Sequence, residues 1–223
     1  GYEPCGIADV KAYRPASKSL GEGQVLQTPY EAEKAKIVML EMADALALQL
    51  VEKELVTDQV VLTVGYDLEN LSDPERRKYY RGEIVTDYYG RQLPKHAHGS
   101  EGLPHYSSSA RELVAVFSAL FDRIVNPALT VRRLALSAGH VIPEREVQKA
   151  SEGYAQLSLF TDYAAEETKQ AEENTRRERE RKLQEATLAI KKKFGKNALL
   201  KGRSLLEGAT GKDRNEQIGG HRA

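Results

Sequence analysis

Strand-like and helix-like apolar patterns alternate between residues 17 and 143, and their order constrains the fold more than any other feature. The clearest strand pattern is the largely β-branched run from Val60 to Val64. The clearest helix pattern follows Ser107-Ser108-Ser109, with apolar residues at helical spacing from Ala110 to Ile124. The expected elements are a strand near 17–26, a helix near 30–55, strands near 57–66 and 82–89, a helix after 109 and a strand near 129–137.

This β-α-β-β-α-β order predicts an α+β fold. We expect a four-stranded antiparallel sheet with two helices on one face, and an opposite face that is open to solvent or to a ligand. Residues 90–106 contain glycine, proline and three histidines, so we expect a loop or a ragged edge strand there. The domain should end near Ile142-Pro143.

The chain divides into four parts of different composition. Residues 1–16 are typical of a linker from an upstream part, which predicts that the chain is a fragment of a longer protein. Residues 17–143 should form the folded domain, and residues 144–162 a second linker. Residues 163–223 predict a long charged helix, solvated rather than packed, followed by a flexible tail rich in glycine.

The amino-acid composition limits the cellular compartments and the binding partners that we expect for this chain. Lys and Arg equal Asp and Glu at 33 each, so net charge alone does not indicate nucleic acid. The single cysteine, Cys5, allows no internal disulfide and indicates a reducing compartment. The sequence has no run of about 18 apolar residues and no signal-peptide pattern. We therefore expect a cytoplasmic protein without a membrane partner.

The sequence contains no recognisable catalytic constellation. It lacks Gly-x-Ser-x-Gly, a Walker loop and His-Glu-x-x-His, so we expect no catalytic residue and no cofactor in this chain. His96, His98 and His105 are the only clustered candidates for metal ligands, whereas a closed structural zinc site needs four ligands. We expect them to be polar loop residues and predict no metal site.

Basic residues lie near three of the expected strands. Arg132 and Arg133 fall in the last strand, so one of them should point away from the helices. If the strands pair as predicted, such residues meet on the open face and form a groove for phosphate groups. The alternative is ordinary surface charge. The candidate phosphate-binding residues, which the resemblance described below would make DNA-binding residues, are Ser17, Lys18, Ser19, Arg91, Lys95, Arg132 and Arg133.

A short apolar segment lies in the second linker. Three large apolar side chains in a polar connector are typical of a peptide that docks into a pocket of a partner. Leu159 and Phe160 would fill an apolar cleft, and Gln156 would supply directional amide hydrogen bonds. The alternative is that the segment folds back onto its own domain. The five residues are Gln156, Leu157, Ser158, Leu159 and Phe160.

Several segments together resemble the C-terminal part of a Y-family translesion DNA polymerase of the UmuC-like (ImpB/MucB/SamB) branch. The resemblance implies the little-finger domain of that family, which holds DNA phosphates with its sheet. Residues 156–160 are similar to the motif by which bacterial polymerases of this kind bind the sliding clamp. The matching segments are Tyr13-Arg14-Pro15 with Ser17 to Gly21, Gln24 to Leu26, Val131 to Leu134, residues 156–160, and Arg214 to Ala223.

The resemblance also implies what this chain lacks. In that family the catalytic palm and its Mg²⁺-binding carboxylates lie upstream, so the chain would be a non-catalytic fragment of a nucleotidyltransferase. We therefore expect a DNA-gripping and clamp-tethering part of an error-prone polymerase that acts in translesion synthesis, DNA repair and SOS mutagenesis. The alternatives are an adaptor that uses the charged helix without binding DNA, and a metal-dependent hydrolase built on the three histidines.

Overall fold

The computed structural model describes residues 5–13, 18–150, 163–218 and 221–222. The strands are β1 (Leu20–Tyr30), β2 (Leu55–Tyr66), β3 (Ile84–Thr86), β4 (Gln92–Pro94), β5 (Ala97–Ser107), β6 (Val131–Gly139), β7 (Ile142–Pro143), β8 (Gln217–Ile218) and β9 (His221–Arg222). The helices are α1 (Ile7–Ala12), α2 (Ala32–Glu52), α3 (Glu69–Ser72), α4 (Pro74–Tyr79), α5 (Ala110–Ile124), α6 (Glu144–Ala150), α7 (Tyr163–Phe194), a 3₁₀ helix (Gly202–Leu205) and α8 (Gly211–Asn215).

The main sheet is antiparallel throughout. Within the described residues it has five strands, of which four lie in the order β1-β6-β2-β5 and β7 pairs with the start of β2. Helices α2 and α5 pack on one face of this sheet. The predicted α+β fold with an antiparallel sheet and packed helices is confirmed.

The core lies between the sheet and these two helices, because alternate residues of each inner strand point to the same side. Burying one large apolar side chain here stabilises the fold by roughly 1.5–3 kcal/mol. The fully buried core side chains include Met39, Met42, Leu46 and Leu50 of α2, Val60, Leu62 and Val64 of β2, Leu113 and Phe117 of α5, and Leu134 and Leu136 of β6.

Helix α5 begins at a capped position. The Ser109 hydroxyl accepts a hydrogen bond from the Glu112 amide at 3.2 Å, which satisfies one of the free amides of the first turn. The helix ends before Asn126-Pro127, since proline cannot continue the backbone hydrogen-bond pattern.

The third strand of the sheet lies later in the chain than predicted. Only Ile84–Thr86 of the expected strand 82–89 is extended, and it forms a separate hairpin with Gln92–Pro94. The sheet strand is instead Ala97–Ser107, part of the segment predicted to be loop or ragged edge. Its Gly99 has a packing reason, because a Cβ there would lie 3.0 Å from Leu120 Cδ1 of α5.

The C-terminal part packs on the helix side of the domain. One face of α7 contacts the start of α5, and buried Gln184 donates from Nε2 to the Ser108 carbonyl at 3.1 Å. The segment after α7, predicted to be a flexible tail, contacts α2, where the Glu41 carboxylate accepts from the Thr210 and Gly211 amides, each at 2.9 Å. Among the described helices, none is both long and apolar enough to cross a membrane.

Candidate nucleic-acid interface

The face of the main sheet opposite α2 and α5 carries mostly small side chains. Glycine inside a strand often marks a place where a ligand or another backbone comes close. We call this surface the open face. The strand register aligns its residues in three rows: Gly21, Ser137, Val61 and Ser100; then Gly23, Ala135, Thr63 and His98; then Val25, Arg133 and Gly65.

A shallow depression lies in the middle of the open face. Its lining includes Gly21, Gly23, Thr63 and Ser137, and Arg133 lies in the row at one end. The depression is too open to enclose a small molecule. It crosses strands β1, β6 and β2.

Arg133 and Arg132 have different surroundings, although they are adjacent. Arg133 is exposed and has no ion-pair or hydrogen-bond partner for its side chain among the described residues. Arg132 lies at an irregularity in the pairing of β6, where it donates from Nη1 to the Gln27 carbonyl at 2.7 Å and has Nε 3.7 Å from the Asp67 carboxylate. Arg133 is therefore available to an anionic ligand, whereas Arg132 is engaged within the protein.

Lys18 and Ser19 directly precede β1, at the end of that strand away from Val25, the partner of Arg133. Both are exposed at the start of β1. About seven residues separate Lys18 from the β1 partner of Arg133, which corresponds to roughly 23 Å along the strand. Ser17 lies outside the described residues.

Comparison of the sequence with known protein families identifies the family of this chain. Residues 17–159 match the family described as the impB/mucB/samB family C-terminal domain. The chain belongs to this family. It therefore contains the C-terminal domain of a UmuC-like Y-family DNA polymerase, as the sequence resemblance predicted.

One solved structure similar to the chain is described as a complex of the beta-clamp processivity factor and the little finger domain of PolIV. The likeness has 12% sequence identity and a TM-score of 0.35, and it covers 65% of this chain and 100% of that chain. No curated protein matches the chain.

In this impB/mucB/samB domain, Arg91 and Lys95 lie on the β3–β4 hairpin rather than on the open face. Arg91 forms an ion pair with Asp87, with Nη2 2.6 Å from Oδ2, and this hydrogen bond holds the pKa of Asp87 below its usual range. Lys95 pairs with Glu83 at 2.7 Å, which raises the pKa of Lys95. Both charges are offset by neighbouring carboxylates, unlike that of Arg133.

The three clustered histidines of the domain do not converge. His98 lies on the open face, where Nδ1 is 2.8 Å from the Thr63 hydroxyl. His105 lies an odd number of residues away in the same strand, so it points to the helix side and contacts Glu112 at 3.1 Å. No group of three His, Cys, Asp or Glu within the described residues is arranged to hold a metal ion.

The predicted clamp-binding residues, 156–160, lie outside the described residues. Sequence reasoning also passed over two exposed tyrosines at the tip of the β3–β4 hairpin, Tyr88 and Tyr89. The signal that marks them is the short run Asp87 to Arg91, in which two aromatic residues stand between a turn-forming aspartate and a glycine.

Proposed function

We propose that this chain is the part of an error-prone Y-family polymerase that grips primer–template DNA and tethers the enzyme to the sliding clamp. It would act in translesion synthesis and DNA repair, with the chemistry supplied by a Mg²⁺-dependent palm elsewhere in the parent enzyme. The observation that carries the DNA part is the open face, in a domain of this family. The face has small side chains and Arg133, whose side chain has no partner among the described residues.

The chemistry of the open face favours phosphate contacts over base contacts. Its rows contain hydroxyl groups, such as those of Ser100 and Ser137, which can donate to phosphate oxygens. In the three rows of the open face, Arg133 and His98 carry the only long or cyclic polar side chains, and the other residues are small or apolar. Contacts of this kind position a duplex without reading its sequence, and they tolerate damaged bases.

The tether is supported by sequence alone. A clamp-bound peptide would hold the domain near the primer end, so that a weak grip on DNA is offset by a high effective concentration. Leu159 and Phe160 would provide the apolar anchor of this peptide, and Gln156 its directional hydrogen bonds.

Two binding experiments test the two halves separately. For DNA, Arg133→Ala should weaken binding to duplexes of unrelated sequence by a similar factor and reduce the slope of log K against log salt by about 1. Arg179→Ala is the matched control, because Arg179 is an exposed arginine of α7. Equal effects of the two substitutions would contradict the proposed interface.

For the clamp, Leu159→Ala combined with Phe160→Ala should abolish binding to a bacterial sliding clamp and leave DNA binding unchanged. Ser158→Asp serves as the control, since the motif accepts serine or aspartate at this position. Clamp affinity that survives the double substitution would remove the tether from the proposal.

A further inference from the structure

The β3–β4 hairpin presents two tyrosine rings to solvent. Tyr88 is 96% exposed and Tyr89 is 78% exposed, whereas Tyr66 and Tyr80 are buried in the core. The two exposed rings lie edge to face, with centroids 5.5 Å apart and an interplanar angle of 86°. Large aromatic surfaces left in water are typical of sites that gain contacts when a ligand binds.

The tip that carries the rings is well ordered by its own hydrogen bonds. The Asp87 carboxylate accepts from the Tyr89 and Arg91 amides, both at 2.9 Å, and Gly90 supplies the left-handed conformation of the turn with φ of 77°. The Arg91 guanidinium lies 5.2 Å from the centroid of the Tyr89 ring. Arg91 therefore occupies one side of Tyr89, whereas the Tyr88 ring is 96% exposed.

The hairpin stem leads directly into the open face. Strand β5 begins three residues after β4, and its His98 lies in the second row of that face. The ring of His96 lies between the hairpin and the sheet, 6.4 Å from that of His98 and nearly perpendicular to it. Nine residues separate Tyr89 from His98, so the tip lies at most about 30 Å from the row, or roughly nine base-pair steps.

We propose that the hairpin tip is a stacking site for an unpaired nucleobase of single-stranded DNA, next to the duplex held by the open face. This inference rests on the proposed function and adds a second kind of DNA contact to it. Aromatic rings stack on any base, because every base has a π-face. The Tyr88 ring, which is 96% exposed beside the cation–π pair of Tyr89 and Arg91, offers such a stacking surface.

A fluorescence experiment separates stacking from phosphate binding. The chain contains no tryptophan, so Tyr88→Trp places a single indole at the tip. Single-stranded DNA should quench its emission, and an abasic strand of the same length and charge should not. Equal quenching by both strands, or none by either, would overturn the stacking site; in the latter case the rings would remain for a protein partner.

Affinity measurements give an independent readout. Tyr88→Ala should weaken binding of a single strand by about 5- to 100-fold, Tyr88→Phe should keep the affinity, and duplex binding should not change. The matched control is Phe194→Ala, which removes another exposed ring beside a cation, Lys193. If Arg133→Ala weakens duplex binding but Tyr88→Ala leaves single-strand binding unchanged, this inference alone is overturned. A wild-type chain that binds no DNA would overturn both proposals.

Discussion

Asn70 holds the segment between β2 and β5 against the start of β6, which makes it the most informative residue to remove. Its side chain is fully buried. Nδ2 donates to the Asp67 and Thr130 carbonyls, each at 2.9 Å, and Oδ1 accepts from the Thr130 amide at 2.8 Å and the Thr130 hydroxyl at 3.1 Å. Thr130 directly precedes β6, so this network fixes the segment beside Arg132 and Arg133.

Asn70→Leu keeps the approximate volume and removes all four hydrogen bonds. The Thr130 carbonyl still accepts from the Asp67 amide at 3.0 Å, but the Thr130 amide loses its partner. One unsatisfied buried donor costs about 1–3 kcal/mol, and each lost hydrogen bond removes roughly 0.5–1.5 kcal/mol more. Since the terms overlap, we expect the free energy of unfolding to fall by about 2–4 kcal/mol, a large part of the total for a domain of this size.

Urea denaturation followed by circular dichroism measures this loss. The control is Asn174→Leu, because Asn174 is exposed on α7 and its replacement should change the free energy of unfolding by less than about 0.5 kcal/mol. A loss below about 1 kcal/mol for Asn70→Leu would refute the reasoning, since the network would then contribute no more than one exposed hydrogen bond.

Two further predictions concern the helix side. In Gly211→Ala the new Cβ would lie 2.6 Å from Glu41 Oε1 and displace the carboxylate from the Thr210 and Gly211 amides, so amide hydrogen exchange in the segment after α7 should accelerate. The control is Gly202→Ala, which has open space around it and should not change the exchange rates. Equal exchange rates in the two variants would contradict the contact between Glu41 and this segment. Burial raises the pKa of Glu22 from its ordinary value of 4.5, partly offset by Arg214, so protonated Glu22 stabilises the fold at low pH and this contribution is lost as pH rises through the raised pKa. The free energy of unfolding of the wild type relative to Glu22→Gln should therefore fall as the pH rises above the ordinary pKa of 4.5 and level off above the raised pKa, and a rise would contradict the assignment.

The elements with strong periodicity were predictable, and the third sheet strand was not. Strand β2 and helix α5 have unbroken apolar patterns, because their buried sides face the core along their whole length. Strand β5 contains Gly99, Gly102 and Pro104, which indicate a loop when read locally. Gly99 is needed because α5 packs close to the strand at that position, and Pro104 is tolerated because β5 lies at the edge of the sheet. Both reasons depend on the tertiary structure and not on the local sequence.

The candidate site was predictable in kind but not in detail. The sequence predicts that one of Arg132 and Arg133 points outward, but the choice depends on a pairing irregularity and on Asp67, which is distant in sequence. The contact of Glu41 with Gly211 joins residues 170 positions apart, and no local pattern indicates it. Long-range pairings of this kind follow only from the folded arrangement of the sheet and helices.

The central claim is that DNA lies on the open face, and thiol footprinting tests it most directly. In a Cys5→Ser background, Ser100→Cys places a thiol on the open face, and Ala119→Cys places one on the solvent-exposed side of helix α5. At low salt, where phosphate contacts are strongest, duplex DNA should slow alkylation at position 100 several-fold and leave position 119 unchanged. Protection at position 119, or equal protection at both positions, would contradict the account.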